Sequence, residues 1–565
     1  MEIKNHIQNQ LQKDISAAIL LNLIFIAICI IFGELRYGAM DDYFMAAVLT
    51  GAHGTDYNVH MYFVNALYGY ALLPLYHLFP KVGWYYIGEM FGVFSSFTIV
   101  TYILIKKLGK SWGMVFASLL VVFFCRDFYL QVQFTQCAAI FAASGMLAFI
   151  WGITEKRNAI VALGCFMVLW GSMMRWEAFF MGLPFLGVAA LIQYKDCISN
   201  IKRILIFAGI AIAAIYGAKS FDKSLYEKPE YKPYKEIQGP RAALGDGHDY
   251  DVNAVIADLK ADGKSVEDYA MLTLWKFYDT EVFCADSMRM FASYTYRHKN
   301  KFPVKAIPSK LLALLSSSAG HYLCWIFFVF GIIILATNPR RGLYPWAALA
   351  VTLAMLGYLL SINRVVARVE NGFWIYASLL AIPQFGTLPK FNRQKIATAI
   401  ILAIVAIGFT YNINQIPHQV KKQDAYDQAF KFVGDHPNTM FIMSMPQYAE
   451  FARHKLPPYL AEPIGGFRRT ISFGFWTPYL PDITEALKEF GITNPLKEIV
   501  NDNVIVVGDK SLDEFLQRHY YDSVKVENIQ SFDNIHFYKY SVIDMDKNID
   551  ASMEDTAIID SVEAQ

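Results

Sequence analysis

Residues 14–47 read DISAAILLNLIFIAICIIFGELRYGAMDDYFMAA, and this stretch contains the signal that decides the fold. The part numbered 14–33 is almost entirely apolar and has about the length that an α-helix needs to cross a bilayer. It ends at Glu34, and an adjacent acidic pair, Asp41 and Asp42, follows shortly after. This order predicts a membrane-spanning helix that leads into a polar segment at the membrane surface.

Composition extends this prediction to the whole chain. Of the 565 residues, 55% are hydrophobic, 15% are aromatic and only 18% are charged. A soluble protein of this size does not need so much apolar surface, so the surplus is expected to face lipid. Apolar runs occur at 14–33, 85–105, 112–125, 135–153, 159–175, 178–193, 203–220, 311–336, 343–361, 371–388 and 395–413. The sequence therefore predicts an α-helical polytopic membrane protein with about 11 transmembrane helices.

The distribution of charge predicts the orientation of these helices. The net charge of +1 gives no reason to expect a nucleic-acid partner. Every second short loop is basic, which places those loops and the N-terminus in the cytoplasm. The basic residues in question are Lys4, Lys13, Lys106, Lys107, Lys110, Lys156, Arg157, Lys195, Lys202, Arg203, Arg340, Arg341, Lys390, Arg393 and Lys395.

The apolar stretch 61–79 is the one segment whose placement affects every later helix. Counting it as a span would send the basic loops outward, so we expect it to lie along the membrane surface. Its tyrosines suit an interfacial position, because amphipathic rings prefer the headgroup level. The alternative is an ordinary spanning helix.

The chain divides into three parts by composition. We predict a transmembrane domain over 1–414 with outer loops at 34–84 and 221–310. The loop 221–310 is expected to be extended at first and helical from about Val266. An extracytoplasmic α/β domain is predicted over 415–543, because helical patterns alternate there with short β-type runs. The acidic segment 544–565 is predicted to be disordered.

Ionisable side chains collect on the outer side of this topology. Charged residues at the membrane edge are energetically costly and often mark function. The four outer loops concerned contain Glu34, Arg36, Asp41, Asp42, Asp56, His60, Arg126, Asp127, Arg175, Glu177, Arg364, Arg368 and Glu370. If they converge on one cavity, that cavity would suit an anionic lipid headgroup. Arginine binds phosphate with several hydrogen bonds, and carboxylates accept protons or bind divalent cations.

Individual residues also have simpler interpretations. A single arginine at a helix end is commonly a topology or snorkelling residue, and Asp56 and His60 could equally stabilise their loop. Asp41 and Asp42 are harder to explain in that way, because acids contribute little to topology. On a helix, adjacent side chains point about 100° apart, so one carboxylate would face the reaction and the other a supporting partner.

In the order of these features the chain resembles the GT-C superfamily of membrane glycosyltransferases, which includes protein O-mannosyltransferases and transferases of aminoarabinose to lipid A. The resemblance covers roughly the first 200 residues. It rests on one span followed by MDDYFMAA, YNVHMYFVNALYG, LYHLFP, WYYIGEMFGVFSSFTIVTYILIKKLG and RDFYLQVQFTQCAA, and on the α/β domain after the last span. The chain departs from better-known members in having Asp-Asp where several have Asp-Glu, and in lacking their Pro-Pro pair after the histidine. It is most similar to bacterial members that act on surface polysaccharide or cell wall.

The resemblance implies a polyprenyl-phosphate-sugar donor and a glycan, lipid or protein acceptor outside the cytoplasm, at a bacterial cytoplasmic membrane. The essential acid of the first outer loop corresponds to Asp41 or Asp42, and Asp127 matches the acid of the second loop. We assign the donor phosphate to Arg175, Arg364 and Arg368, and the sugar or acceptor to Asp56, His60 and Glu177. A divalent cation, Mg²⁺ or Mn²⁺, could be held by Asp41 and Asp127, although the spacing does not demand one.

Three other functions compete with this interpretation. A polysaccharide polymerase or ligase would use lipid-linked glycans but depend on late arginines such as Arg364 and Arg368. A lipid-linked-oligosaccharide flippase or transporter is less favoured, because the acids lie in outer loops and no paired broken spans are evident. A purely structural membrane protein would leave the convergence of charges unexplained.

Overall fold

The computed structural model describes residues 2–246, 249–300, 303–320, 323–388, 394–414 and 420–543. Within these residues, seven helical segments are long and apolar enough to cross a membrane. They are Gln12–Phe32, Trp84–Leu108, Lys110–Leu130, Phe134–Thr154, Ile201–Leu225, Pro339–Ser361 and Lys395–Asn414. Each coincides with one of the apolar runs of the sequence, because such runs are stable in lipid only as helices.

The other four apolar runs form shorter elements. Asn158–Met174 and Trp176–Ile192 are separate helices of 17 residues each. Within the run 311–336 the described residues form the helices Ile307–Gly320 and Leu323–Thr337, on either side of residues 321–322, which lie outside the described ranges. The run 371–388 overlaps the helix Ala367–Leu379, which begins before it, and then includes a short 3₁₀ turn, Ile382–Gln384. The predicted number of about 11 spans therefore remains a prediction, since these helices are shorter than the ~20 residues of a typical span.

The helix Phe134–Thr154 is the centre of the membrane domain, and 89% of its most apolar stretch is buried inside the protein. It packs on Asn158–Met174, Ala367–Leu379 and Trp84–Leu108. Small residues allow this close approach, since a Cβ atom at Gly145 would lie 2.7 Å from a backbone oxygen of the neighbouring helix. Such small-residue contacts are typical of helix packing in membranes.

The stretch 61–79 contains the helix Ala66–Leu78, which begins at the cap Asn65. With 13 residues it is shorter than a spanning helix requires. Its position along the membrane surface remains a prediction.

The first outer loop also contains a two-residue strand, Arg36–Tyr37, and the helix Met40–Leu49. The strand pairs in parallel with Gln131–Val132, which follows the π-helical segment Arg126–Leu130. The two acid-bearing loops are thus joined by backbone hydrogen bonds.

The loop 221–310 is more helical than the sequence predicted. Its helices are Lys232–Gly245, Val252–Ala261, Val266–Thr273 and Ala285–Arg297. The prediction of an extended first half was wrong, because proline near the start of Lys232–Gly245 occupies a position where helices tolerate it. This helix is held by one buried face that includes Tyr234, Ile237 and Arg241.

The C-terminal region contains the predicted α/β structure. Its sheet has the order Thr470–Ser472, Met440–Met443, Val504–Val507, Ile535–Val542 and Val524–Phe532. The first three strands are parallel and the last two are antiparallel to their neighbours. The main helices of this region are Val420–Asp435, Met445–Lys455, Pro481–Glu489 and Asp513–His519. The fold is therefore that of an α-helical polytopic membrane protein with a C-terminal α/β region; the predicted tail 544–565 lies outside the described residues.

Candidate active site

Asp41 lies in the first turn of the helix Met40–Leu49, within the electrostatic influence of three arginines. The guanidinium groups of Arg368, Arg175 and Arg241 act on it electrostatically, in that order of strength, and Asp246 opposes them. We call these five residues the Asp41 cluster. Burial nevertheless dominates and raises the pKa of the Asp41 carboxyl. Among the described residues no arginine forms an ion pair with Asp41. Its carboxylate is therefore available to accept a proton from a bound molecule.

Asp42 points in a different direction, into the protein interior. It is fully buried, and its Oδ1 accepts hydrogen bonds from the Tyr85 hydroxyl at 3.1 Å and from the Phe134 amide at 3.2 Å. Burial, and next the charge of Asp41, raise the pKa of Asp42 well above its usual range. These hydrogen bonds tie Asp42 to the helix Trp84–Leu108 and to the start of the helix Phe134–Thr154, while its predicted catalytic role remains a prediction.

A further buried acid, Glu89, belongs to the second span, Trp84–Leu108, and lies beside Asp42. Its side chain is fully buried and interacts electrostatically with Asp42 and Tyr85. Together Asp42, Tyr85 and Glu89 form a polar group directly behind the Asp41 helix. Buried acids of this kind are costly unless they share protons or hydrogen bonds.

Arg175 joins two helices, because it ends Asn158–Met174 and begins Trp176–Ile192. Its guanidinium carbon lies 5.5 Å from the ring centres of both Phe63 and Phe134. Its Nε atom pairs with Glu177 at 2.9 Å, and the Glu177 side chain is 68% exposed. The aromatic rings hold Arg175 in place, and Glu177 lies on its solvent side.

The loop 221–310 brings Arg241 to the same place. Arg241 is 3% exposed, donates from Nε to Gln238 at 2.6 Å, and lies over the rings of Tyr62 and Trp275. Arg364 is farther out, half exposed, and pairs with Asp246 at 3.4 Å. The predicted phosphate ligand Arg364 therefore contacts the edge of the cluster, whereas Arg241 is one of its buried members.

Arg368 connects Asp41 to a polar cavity of about 280 Å³. The cavity lies between the first two outer loops and the start of the helix Ala367–Leu379. Its polar lining consists of Arg126, Asp127, Gln131, Gln133, Gln136, Arg368 and Asn371. Asp127 thus shares a cavity with the arginine that faces Asp41, and the glutamine and asparagine side chains offer hydrogen bonds to hydroxyl groups.

Two predicted sugar or acceptor ligands, Asp56 and His60, lie outside the Asp41 cluster. Asp56 is exposed and accepts a hydrogen bond from the Tyr57 amide at 2.7 Å. The His60 ring stacks on Tyr231 at 4.0 Å, and its Nδ1 lies 2.7 Å from Asn58 and 2.8 Å from the Tyr231 hydroxyl. Burial lowers the pKa of His60 to about 4. These contacts describe a neutral histidine that joins the first outer loop to the loop 221–310.

The predicted divalent cation does not fit the charges around Asp41. No group of three or more histidine, cysteine or acidic side chains that could hold a metal is found within the described ranges. Three guanidinium groups face Asp41, and their positive charges favour an anion over a cation. We therefore derive no chemical step through a metal at this site.

Several residues of the site were missed by the sequence-based assignment. Arg241 and Asp246 belong to a loop far along the chain, and nothing in their local sequence indicates that they reach Asp41. Glu89 did carry a signal, because an acid within an apolar span is a functional hypothesis by default.

The chain was compared with known proteins. No protein-family model and no curated protein matches it. Among solved structures it is similar to ArnT from Cupriavidus metallidurans in the apo state, with 11% identity and a TM-score of 0.43 over 91% of this chain and 97% of that chain. It is also similar to the same protein bound to undecaprenyl phosphate, with 10% identity and a TM-score of 0.41 over 92% of this chain and 97% of that chain.

Proposed function

We propose that this protein is a GT-C-type membrane glycosyltransferase that transfers a sugar from a polyprenyl-phosphate donor to an acceptor outside the cytoplasm. The observation that carries the proposal is the Asp41 cluster. It combines one carboxylate that has no ion-pair partner among the described residues with three arginines from separate elements. A transferase that releases a phosphate needs both a base and a cationic site for the leaving group.

Asp41 is the proposed base. The acceptor hydroxyl oxygen attacks the anomeric carbon while the bond from that carbon to the phosphate oxygen breaks. The hydroxyl proton passes to the Asp41 carboxylate, and the electron pair of the broken bond stays on the phosphate. Burial of Asp41 favours this transfer, because a carboxyl with a raised pKa is a stronger base.

The arginines are the proposed phosphate site. Arg175 and Arg241 are held by aromatic rings, so their guanidinium groups keep their orientation as charge develops. A phosphate is a weakly basic leaving group, so it needs charge stabilisation and no proton donor. Arg368 is placed to contact both this phosphate and groups in the cavity that contains Asp127.

The cavity beside Arg368 is the proposed place of the sugar or the acceptor hydroxyl. Its amide side chains and Asp127 provide neutral and anionic hydrogen-bond partners. On this proposal the site and the C-terminal α/β region lie on the extracytoplasmic side of a bacterial cytoplasmic membrane.

The test is replacement of Asp41 by Asn. We expect sugar transfer in isolated membranes to fall by about 100-fold or more, because general-base catalysis contributes at least that factor in comparable reactions. Asp56→Asn is the matched control, since Asp56 is an exposed acid of the same loop, and it should retain activity. Full activity of Asp41→Asn would overturn the proposal and would favour a mechanism based on arginines alone.

A further inference from the structure

A second, larger cavity lies on the other side of the segment that leads to Asp41. It has a volume of about 1160 Å³ and forms a groove between the first span and the helix Trp84–Leu108. The C-terminal residues 453–459 cover its outer end. We call it the lateral groove.

The walls of the lateral groove are apolar and open toward the membrane. Leu23, Ile30 and Phe91 line it and are 47%, 53% and 67% exposed. All three lie on helices that are long and apolar enough to cross the bilayer. Their exposed surface is therefore in contact with lipid chains, and a chain can enter the groove from the side.

The outer end of the groove is basic. Arg36, Arg453 and Lys455 line it, together with one acid, Glu34. Lys455 is already paired with Glu462 at 2.8 Å, and Arg453 lies 3.3 Å from Glu450. The guanidinium group of Arg36 forms no ion pair or hydrogen bond with any described residue. Burial and the like charge of Arg453 lower the pKa of Arg36, and the nearby carboxylate of Glu34 opposes this shift in part.

The lateral groove is separate from the cavity at Arg368. Residues 33–36 line the groove, whereas Gly38 and Ala39 line the cavity. The strand Arg36–Tyr37 lies between them and pairs with Gln131–Val132. A molecule in the groove would therefore contact the segment that leads to Asp41 without occupying the Asp41 cluster.

We propose that the lateral groove binds an anionic phospholipid of the surrounding bilayer, with its phosphate at Arg36 and one acyl chain along Leu23, Ile30 and Phe91. Cationic residues at the membrane surface attract anionic headgroups. The groove opens directly to bulk lipid, so an ordinary phospholipid reaches it more often than a scarce polyprenyl phosphate does. This inference does not depend on the proposed transferase activity.

The test uses the full chain in nanodiscs that contain phosphatidylglycerol with a photoreactive diazirine in its acyl chain. After irradiation, mass spectrometry should find label on peptides that contain Leu23, Ile30 and Phe91. Arg36→Gln should reduce this label by about fivefold, since one basic residue at a membrane surface contributes about 1 kcal/mol. Arg289→Gln is the control, because Arg289 is an exposed arginine of the loop 221–310 that pairs with Asp286. This variant should be labelled to the same extent as the native protein.

A second variant separates loss of the site from loss of the fold. Ile30→Trp fills the groove and leaves its charges unchanged, so it should also reduce labelling, while both variants keep the native melting temperature. Equal labelling by the phosphatidylcholine analogue, or unchanged labelling in Arg36→Gln, would overturn the proposal. Displacement of the label by equimolar undecaprenyl phosphate, or by millimolar inorganic phosphate, would also overturn it.

Discussion

The Tyr85 hydroxyl donates a hydrogen bond to Asp42 Oδ1 across 3.1 Å and so joins the second span to the helix that carries Asp41. Both side chains are buried, and Glu89 lies beside them. The adjacent acids of the sequence therefore have different surroundings, since Asp41 faces arginines and Asp42 faces a phenol and a second acid.

Asp42 should make the protein less stable as the pH rises. Its folded-state pKa is raised, so above its unfolded value near 4 the folded protein holds a proton that the unfolded chain has released. Stability should therefore fall from about pH 4 upward until the folded-state pKa is passed. Asp42→Asn keeps an oxygen that can accept the hydrogen bond from Tyr85, and it removes the titrating carboxyl group.

The measurement is the melting temperature of the detergent-solubilised protein between pH 4 and pH 8. The decrease with pH should be smaller in Asp42→Asn than in the native protein. Asp42→Ala, which loses both accepted hydrogen bonds, should be less stable by about 1–3 kcal/mol. An identical pH dependence in the native protein and Asp42→Asn would contradict this account of Asp42.

Arg368 should affect both donor binding and the pH profile of transfer. Arg368→Gln removes a charge-assisted contact with phosphate, so KM for the donor should rise by about 10- to 100-fold. It also removes the strongest cationic influence on Asp41, so the pKa of Asp41 should rise further. Because the base must be deprotonated, the acid limb of the kcat profile should move to higher pH.

Arg368→Lys is the matched control for these two effects. It retains the charge and should restore the position of the acid limb, while the loss of planar geometry leaves part of the KM defect. A KM increase with no movement of the acid limb would show that Arg368 does not act on the base.

The orientation of the chain can be tested with one native cysteine. Cys284 is exposed in the loop 221–310, which is predicted to be outside. A membrane-impermeant maleimide should label it in intact cells. Lys110→Cys lies in a loop that is predicted to be cytoplasmic, and in a chain that also carries Cys284→Ser it should be labelled only after lysis. Labelling of Lys110→Cys in intact cells would reverse the topology.

Removal of divalent cations should leave transfer unchanged. The positive charges around Asp41 argue for charge stabilisation by arginine. Membranes treated with EDTA should therefore keep their transfer rate, with a Mg²⁺-dependent membrane enzyme as the positive control for chelation. Loss of activity that Mg²⁺ or Mn²⁺ restores would return Asp41 and Asp127 to the role of metal ligands.

The sequence predicted elements whose signals are local and missed those that depend on distant contacts. The span before Asp41 and the α/β character of the C-terminal region were evident, because hydrophobic length and alternation are read from neighbouring residues. The strand Thr470–Ser472 has only three residues and carries no such pattern. Arg241 reaches Asp41 only through tertiary packing, which no local pattern encodes.

The pairing of Arg36–Tyr37 with Gln131–Val132 has a consequence for how the proposed site is assembled. The amide of Gly38 continues this pairing by donating to the Val132 carbonyl at 2.6 Å, and a Cβ atom at Gly38 would lie 2.8 Å from the Gln131 carbonyl oxygen. Main-chain bonds of this kind act as a brace that sets the spacing between the two acidic loops before any substrate arrives. If the proposed transferase function holds, binding energy is not used to assemble that spacing at each turnover, and more of it is available to distort the donor toward the transition state.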